Sequence, residues 1–256
     1  MSHPISHSLA VALALAVATP AVLTSTDAAY AQSASGAGKE APKAPVKPAE
    51  PANAPTPSAP ADVTADSIAS RVQTFYDSTR TFQAHFEQVY HIQAYKRNKR
   101  STGTVIFERP GRMSWQYDQP NGNRVVSDGK LLRVYEQDKK QLVEQQLADS
   151  QYPAVLSFLV GKGSLKQMFH LKKLDSKQMK FEGGYVLEGT PKQPTAAYTK
   201  VLMYIDGETA QVRRMLIIDA QRNRNVFTFS KVAVNIKVTP ATFTFTPPAG
   251  TQIVRR

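Results

Sequence analysis

Residues 108–129, ERPGRMSWQYDQPNGNRVVSDG, constrain the fold more tightly than any other stretch of the chain. Met113, Trp115 and Tyr117 alternate with Arg112, Ser114, Gln116 and Asp118, the period of two that sends successive strand side chains to opposite faces. An Arg109-Pro110 step precedes this strand, and Asn121-Gly122 and Asp128-Gly129 follow it as hairpin turn signals. A sheet with one apolar and one polar face must cover the apolar one, either with helices of its own or with something apolar that it carries. Which of the two it does is the functional question.

The N-terminal part of the chain reads differently. Residues 9–18 are an unbroken apolar run, and Ala29-Tyr30-Ala31 places small residues where a signal peptidase reads them, so residues 1–31 are expected to be a cleaved secretory signal. The run falls well short of the ~20 apolar residues that a membrane span requires. Residues 32–61 are nearly all Ala, Pro, Ser and Lys, too poor in large apolar side chains to offset the entropy of ordering, and are expected to be a disordered linker. The remainder, residues 62–256, is long enough for one domain with a single core. There is no cysteine, which excludes both a lipid-anchoring thiol and a disulfide. Three Lys and three acidic residues lie before residue 62, so the whole excess of +12 belongs to the domain. For an exported chain the matching partners are anionic phospholipid head groups or acidic proteins, and not nucleic acid.

Within the domain, Thr64 is placed to cap a helix running to about Asp77, with Ile68, Val72 and Phe75 on its apolar face. The period then switches to two. Phe82, Ala84, Phe86, Tyr90 and Ile92 fall on one side of a first strand, and Gln83, His85, Glu87 and His91 on the other. Further strands are expected at 101–108, 113–118, 123–127, 131–136 and 141–147. Helical spacing returns after Pro153 with Val155, Leu156, Leu159 and Val160, stopped by Gly161-Lys162-Gly163, and a short second helix containing Met168 covers 164–169. Strands are expected again at 170–174, 180–189, 198–206, 212–219, 225–234 and 243–246. This makes about ten or eleven antiparallel strands, a number that twists and curls. An incomplete barrel with helices laid across its mouth satisfies the pattern. A closed lipocalin-like barrel is the rival, although it has no need of helices with apolar faces at these places.

Enzyme chemistry finds little support. No G-x-S-x-G elbow, H-E-x-x-H helix or phosphate-cradling glycine loop is present, and His85, His91 and His170, two of them alternating on the presumed outer face of the first strand, read better as solvent-facing strand residues than as metal ligands. No enzyme activity, metal or cofactor is expected. The basic run Lys96, Arg97, Asn98, Lys99 and Arg100 joins the first two strands, with Arg222 and Arg224 in a second basic turn. It reads as a solvated hairpin tip, or as a transient contact with an anionic membrane surface.

Taken in order, Phe86-x-Gln88, Arg109-Pro110, Trp115, the Val126–Lys130 turn VSDGK and the terminal FTFTPPAG ending at Gly250 resemble the LolA family of periplasmic outer-membrane lipoprotein carriers. The resemblance extends over residues 62–256. Met113 stands where that family usually has an aromatic. The resemblance implies a mainly β fold, a half-open antiparallel β-barrel with α-helices forming a lid over an apolar cavity. Phe82, Phe86, Met113, Trp115, Tyr117, Met168 and the helix residues Ile68, Val72, Phe75, Leu156, Leu159 and Val160 would line that cavity. Arg109 ends a strand, and a guanidinium facing an apolar hollow needs acceptors such as helix-end carbonyls. By resemblance it is the latch that bonds lid-helix carbonyls in the closed state. The implied cargo is acylated lipoproteins, loaded by an ATP-driven inner-membrane releasing complex and passed to an outer-membrane receptor. A lipid- or lipoprotein-sensing module of the same fold is the alternative.

Overall fold

In a computed structural model of the chain, residues 63–150 and 163–256 are described. The first element is the helix α1, Ala65–Asp77, and it starts where a cap is available: Thr64 Oγ1 accepts from the Ser67 N–H at 3.1 Å. Its buried residues are Ile68, Ala69, Val72 and Tyr76. Spacings of three and four put them on one stripe. Phe75 lies at the edge of that stripe, only partly buried, with its ring edge-on to Tyr76 at 4.9 Å.

Twelve strands follow among the described residues: β1 (Thr81–Ile92), β2 (Arg97–Glu108), β3 (Arg112–Gln119), β4 (Arg124–Asp128), β5 (Leu131–Glu136) and β6 (Gln141–Gln146), then β7 (Phe169–Leu174), β8 (Gly184–Pro191), β9 (Lys200–Asp206), β10 (Val212–Ile218), β11 (Arg224–Val234) and β12 (Gln252–Arg255). A short helix α2, Leu165–Met168, precedes β7 and is capped by Ser164. All twelve strands belong to one sheet, ordered β12-β6-β5-β4-β3-β2-β1-β11-β10-β9-β8-β7. Sequential hairpins build each half, and the pairing of β1 with β11 joins the halves, setting Phe86 opposite Phe229. The end strands β7 and β12 do not pair with each other, so the barrel is incomplete.

The C-terminal segment differs from the sequence expectation. Residues 243–246 form no strand: Pro240–Phe243 is a single 3-10 turn, with Pro240 opening it. The last strand is β12, and it runs parallel to β6, whereas every other pair is antiparallel. The reason is burial on the outer face. Phe243 is 1% exposed, with the Arg112 guanidinium 6.0 Å from its ring, and the Phe245 ring lies 5.1 Å from Tyr135 and 5.7 Å from the Arg124 guanidinium. The face expected to be wet is therefore covered here, and Ser114 is buried. Farther along the sheet, Val186, Leu202 and Tyr204 form a second small apolar cluster on the side away from the main core. The strand expected at 180–189 begins only at Gly184, because residues 175–181 turn, with Asp175 Oδ1 accepting from the Lys177 N–H at 2.8 Å.

Candidate functional site

The concave face of the sheet is floored by aromatic rings. Phe86 on β1 is central, with centroids 5.0 Å from both Trp115 and Tyr117 on β3, edge-on in each case, and 6.4 Å from Phe227 on β11. Trp115 also meets Phe107 at 5.8 Å and Phe227 at 5.4 Å. Edge-to-face pairs of this kind add about 0.5–1.5 kcal/mol each beyond burial. The arrangement needs a strand without a side chain between β1 and β3. Gly103 on β2 faces both Phe86 and Tyr117 in register, and a Cβ there would lie 2.9 Å from Phe86 Cε1.

Polar atoms are set into this floor. Gln88 Nε2 donates to Asn225 Oδ1 at 2.9 Å, a buried pair on the same side as Phe86. Gln88 Oε1, Trp115 Nε1, Tyr117 Oη and Gln145 Nε2 are buried and have no hydrogen-bond partner among the described residues. Leaving such a group unsatisfied costs roughly 1–3 kcal/mol. Burial also pushes the Tyr117 hydroxyl pKa well up, so it stays a neutral donor.

Over the floor lies α1, with Ile68, Val72 and Tyr76 in the same apolar cluster as Phe86 and Trp115. The Tyr76 hydroxyl accepts from the Val212 N–H at 3.2 Å. At the N-terminal half, Arg71 Nη2 donates to the Gly207 carbonyl at 2.7 Å, and Asp66 pairs with Lys166 of α2. At the C-terminal end Arg109 closes the contact: Nη1 donates to the Tyr76 carbonyl and Nη2 to Asp77 Oδ1 at 2.9 Å. The last carbonyls of a helix lack intrahelical donors and carry partial negative charge, so a guanidinium in the turn after β2 is matched to them. Asp77 is half exposed, which limits the ion pair to a small share, about 0–1 kcal/mol.

Of the residues assigned to the hollow from sequence, Ile68, Val72, Phe82, Phe86, Met113, Trp115 and Tyr117 are buried in one cluster, and Phe75 and Met168 pack against its margin. Leu156, Leu159 and Val160 lie outside the described residues. Sequence reading missed Tyr76, Phe107, Phe227 and Phe229. Tyr76 follows Val72 by a helical four, and Phe227 and Phe229 keep a strand's alternation, so the signal was present. The basic run is placed differently from the expectation. The hairpin turn is 93–96, and Arg97, Lys99 and Arg100 already belong to β2. Arg100 pairs with Glu87 at 2.9 Å, and burial pulls the Lys99 ammonium pKa down, although Asp138 and Glu136 oppose this. The two basic turns do meet, because the Gln93 N–H donates to Asn223 Oδ1 at 2.9 Å. Among the described residues, a surface pocket of about 460 Å³ opens beside Gln116, Tyr117, Arg124, Tyr135 and Phe245, so that it borders the floor residue Tyr117, and one of about 280 Å³ lies between α1 and the Ser164–Lys166 turn.

An unclosed, mainly antiparallel sheet with an aromatic floor, covered by a clasped helix, defines the class: an incomplete β-barrel with a helical lid. The family model described as outer membrane lipoprotein carrier protein LolA matches residues 77–246, and the chain belongs to that family. Among its relatives, an outer-membrane lipoprotein carrier protein of Nitrosomonas europaea is 30% identical over 77% of this chain and 92% of its own. One of Dechloromonas aromatica is 28% identical over 72% and 86%. Among solved structures, an uncharacterized conserved protein from Thermus thermophilus covers 75% of this chain and 99% of its own at 16% identity, with a TM-score of 0.48.

Proposed function

We propose that this chain is a periplasmic carrier, exported by the signal at residues 1–31, that shields the acyl chains of lipoproteins between the inner and outer membranes. It works by binding and release, without catalysis. An ATP-driven inner-membrane releasing complex loads it and an outer-membrane receptor empties it. Family membership and the named relatives support this reading. The observation that carries it is the Arg109 guanidinium holding the C-terminal end of α1 down on an apolar floor.

The energetics set the requirement. At ~0.8 kcal/mol per buried methylene, two or three chains of about fifteen methylenes would cost on the order of 25–35 kcal/mol to expose to water. A carrier must supply comparable cover and still let go, so lid and cargo compete for one surface. Here Ile68, Val72 and Tyr76 occupy the surface that acyl chains would take, as the closed member of a two-state balance requires. The chains would lie against Phe82, Phe86, Met113, Trp115 and Tyr117, with Phe75 and Met168 at the margin. Arg109 is the latch that sets the balance, and exposed Lys96 and Arg97 with the Arg222 turn supply a salt-sensitive contact to anionic membranes.

Arg109→Leu removes the bonds to Tyr76 and Asp77 while leaving the sheet intact. The variant is expected to co-purify with several-fold more lipoprotein than wild type and to pass it poorly to outer-membrane acceptors. Wild-type levels of bound cargo together with wild-type transfer would defeat the latch assignment. Bound lipid with no transfer by the wild-type chain would favour the sensing module.

A further inference from the structure

The floor beneath the lid is not uniformly apolar, and the exceptions share a chemistry. Trp115 Nε1 and Tyr117 Oη are hydrogen-bond donors on residues 0% and 2% exposed, and neither has an acceptor among the described residues. They stand two residues apart on β3, so both face the hollow, and their rings flank Phe86. A third donor, Gln145 Nε2, belongs to the next inner row of the sheet, the row of Met113, Ser127 and Leu132. Hydrocarbon gives such groups nothing. Phe at position 117 would pack the same ring without the orphaned hydroxyl, and native interiors leave few polar groups unpaired.

Resting on the carrier reading above, we infer that Trp115 and Tyr117 form a polar subsite that donates to the carbonyl oxygens of the ester linkages joining acyl chains to their glyceryl backbone. The ligand that fits carries acceptors and no donors at that point, on a body that is otherwise apolar. Diacylglyceryl esters have that character, whereas an alkane or a dialkyl ether has no carbonyl. Gln88 Oε1, the unpartnered acceptor on β1, suits the N–H of an acyl amide beside them. The subsite sets how deep the linkage sits, and so how the peptide leaves the hollow. Lipoproteins and phospholipids both carry such esters, and the subsite recognises the linkage in either.

Trp115 is the only tryptophan of the chain, so its emission reads the site directly. The test titrates the mature wild-type protein and Tyr117→Phe with three ligands below their micellar concentrations: a diacyl-ester lipopeptide, its dialkyl-ether analogue of equal chain length, and a diacyl phospholipid with the same chains. Wild type is expected to bind the ester lipopeptide about tenfold more tightly than the ether, with a red shift of Trp115 emission for the ester alone. Tyr117→Phe should lose most of that preference by weakening the ester, with ether affinity unchanged and an unfolding midpoint no lower than wild type. A red shift and tight binding with the diacyl phospholipid as well, both weakened in Tyr117→Phe, support linkage recognition independent of the peptide. Equal affinity of wild type for ester and ether, or equal losses for both in the variant, overturns the subsite while leaving the carrier intact. Failure of the wild type to bind any of the three would overturn the carrier reading and the subsite with it.

Discussion

An added methyl group at Gly103 would have its Cβ 2.0 Å from the Gln116 carbonyl oxygen, a backbone atom that cannot swing away. The missing side chain is what lets Phe86 lie across β2 and reach the β3 aromatics. Gly103→Ala should therefore cost about 2–3 kcal/mol through overpacking, seen as a lower urea midpoint with unchanged slope. A midpoint equal to wild type would mean that β2 and β3 can separate locally without disturbing the aromatic floor. Arg109 shows the limit of reading at this scale. Its place before Pro110, and the need of a guanidinium for acceptors, were legible. That the acceptors would be the Tyr76 carbonyl and the Asp77 carboxylate was not, because 32 or 33 residues separate the partners and only the docking of α1 brings them together.

Elements were most legible where a period and a cap agreed. The helix α1 begins after Thr64 and ends at Asp77, as the capping residue and the apolar stripe require. The hairpin between β9 and β10 is a second case with a pH signature. Asp206 Oδ1 accepts from the Thr209 N–H and hydroxyl, both at 2.8 Å, and from the Glu208 N–H at 3.2 Å, while Arg213 lies at 3.8 Å. These bonds hold its carboxyl below the ordinary carboxylate range. A depressed folded-state value stabilises the fold above the unfolded pKa of about 3.9, and that contribution is lost as pH falls through the lower value. The same turn offers the Gly207 carbonyl to Arg71 of α1, so it also seats the lid. Asp206→Asn is expected to lower the melting temperature at pH 7 and to converge with wild type as the pH falls through the depressed pKa of Asp206. Parallel melting curves from pH 7 to pH 2 would remove Asp206 from the acid response.

At the scale of the molecule, the C-terminal segment ties the outer face to the sheet edge. Phe243 is buried against the β3 and β4 region, and beyond it β12 extends the sheet beside β6, where Glu144 accepts from Arg133 at 3.0 Å and from Arg255 at 3.2 Å. An edge strand without cover is a template for aggregation, and this segment covers β6 and leaves only the four-residue β12 as the end strand in its place. Phe243→Ala should cost roughly 3–5 kcal/mol, measured by denaturant unfolding, and should make the C-terminal residues readily cleaved by added protease. Protease resistance and stability like those of wild type would show that Phe243 does not anchor the segment.

From sequence alone came the strand and helix periods, the capped start of α1, the turn glycines, the aromatic side of β3, the half-open β architecture and, through ordered motifs, the family. These depend on backbone geometry and on neighbours within a few residues, which a linear pattern records directly. Tertiary structure decided the rest: the β1–β11 seam, the parallel placement of β12, the burial of an outer face that reads as polar, the orphaned donors around Phe86 and which atoms at the end of α1 Arg109 meets. Each depends on which distant surfaces exclude water from one another, a choice made by burial across the whole chain that no local repeat encodes.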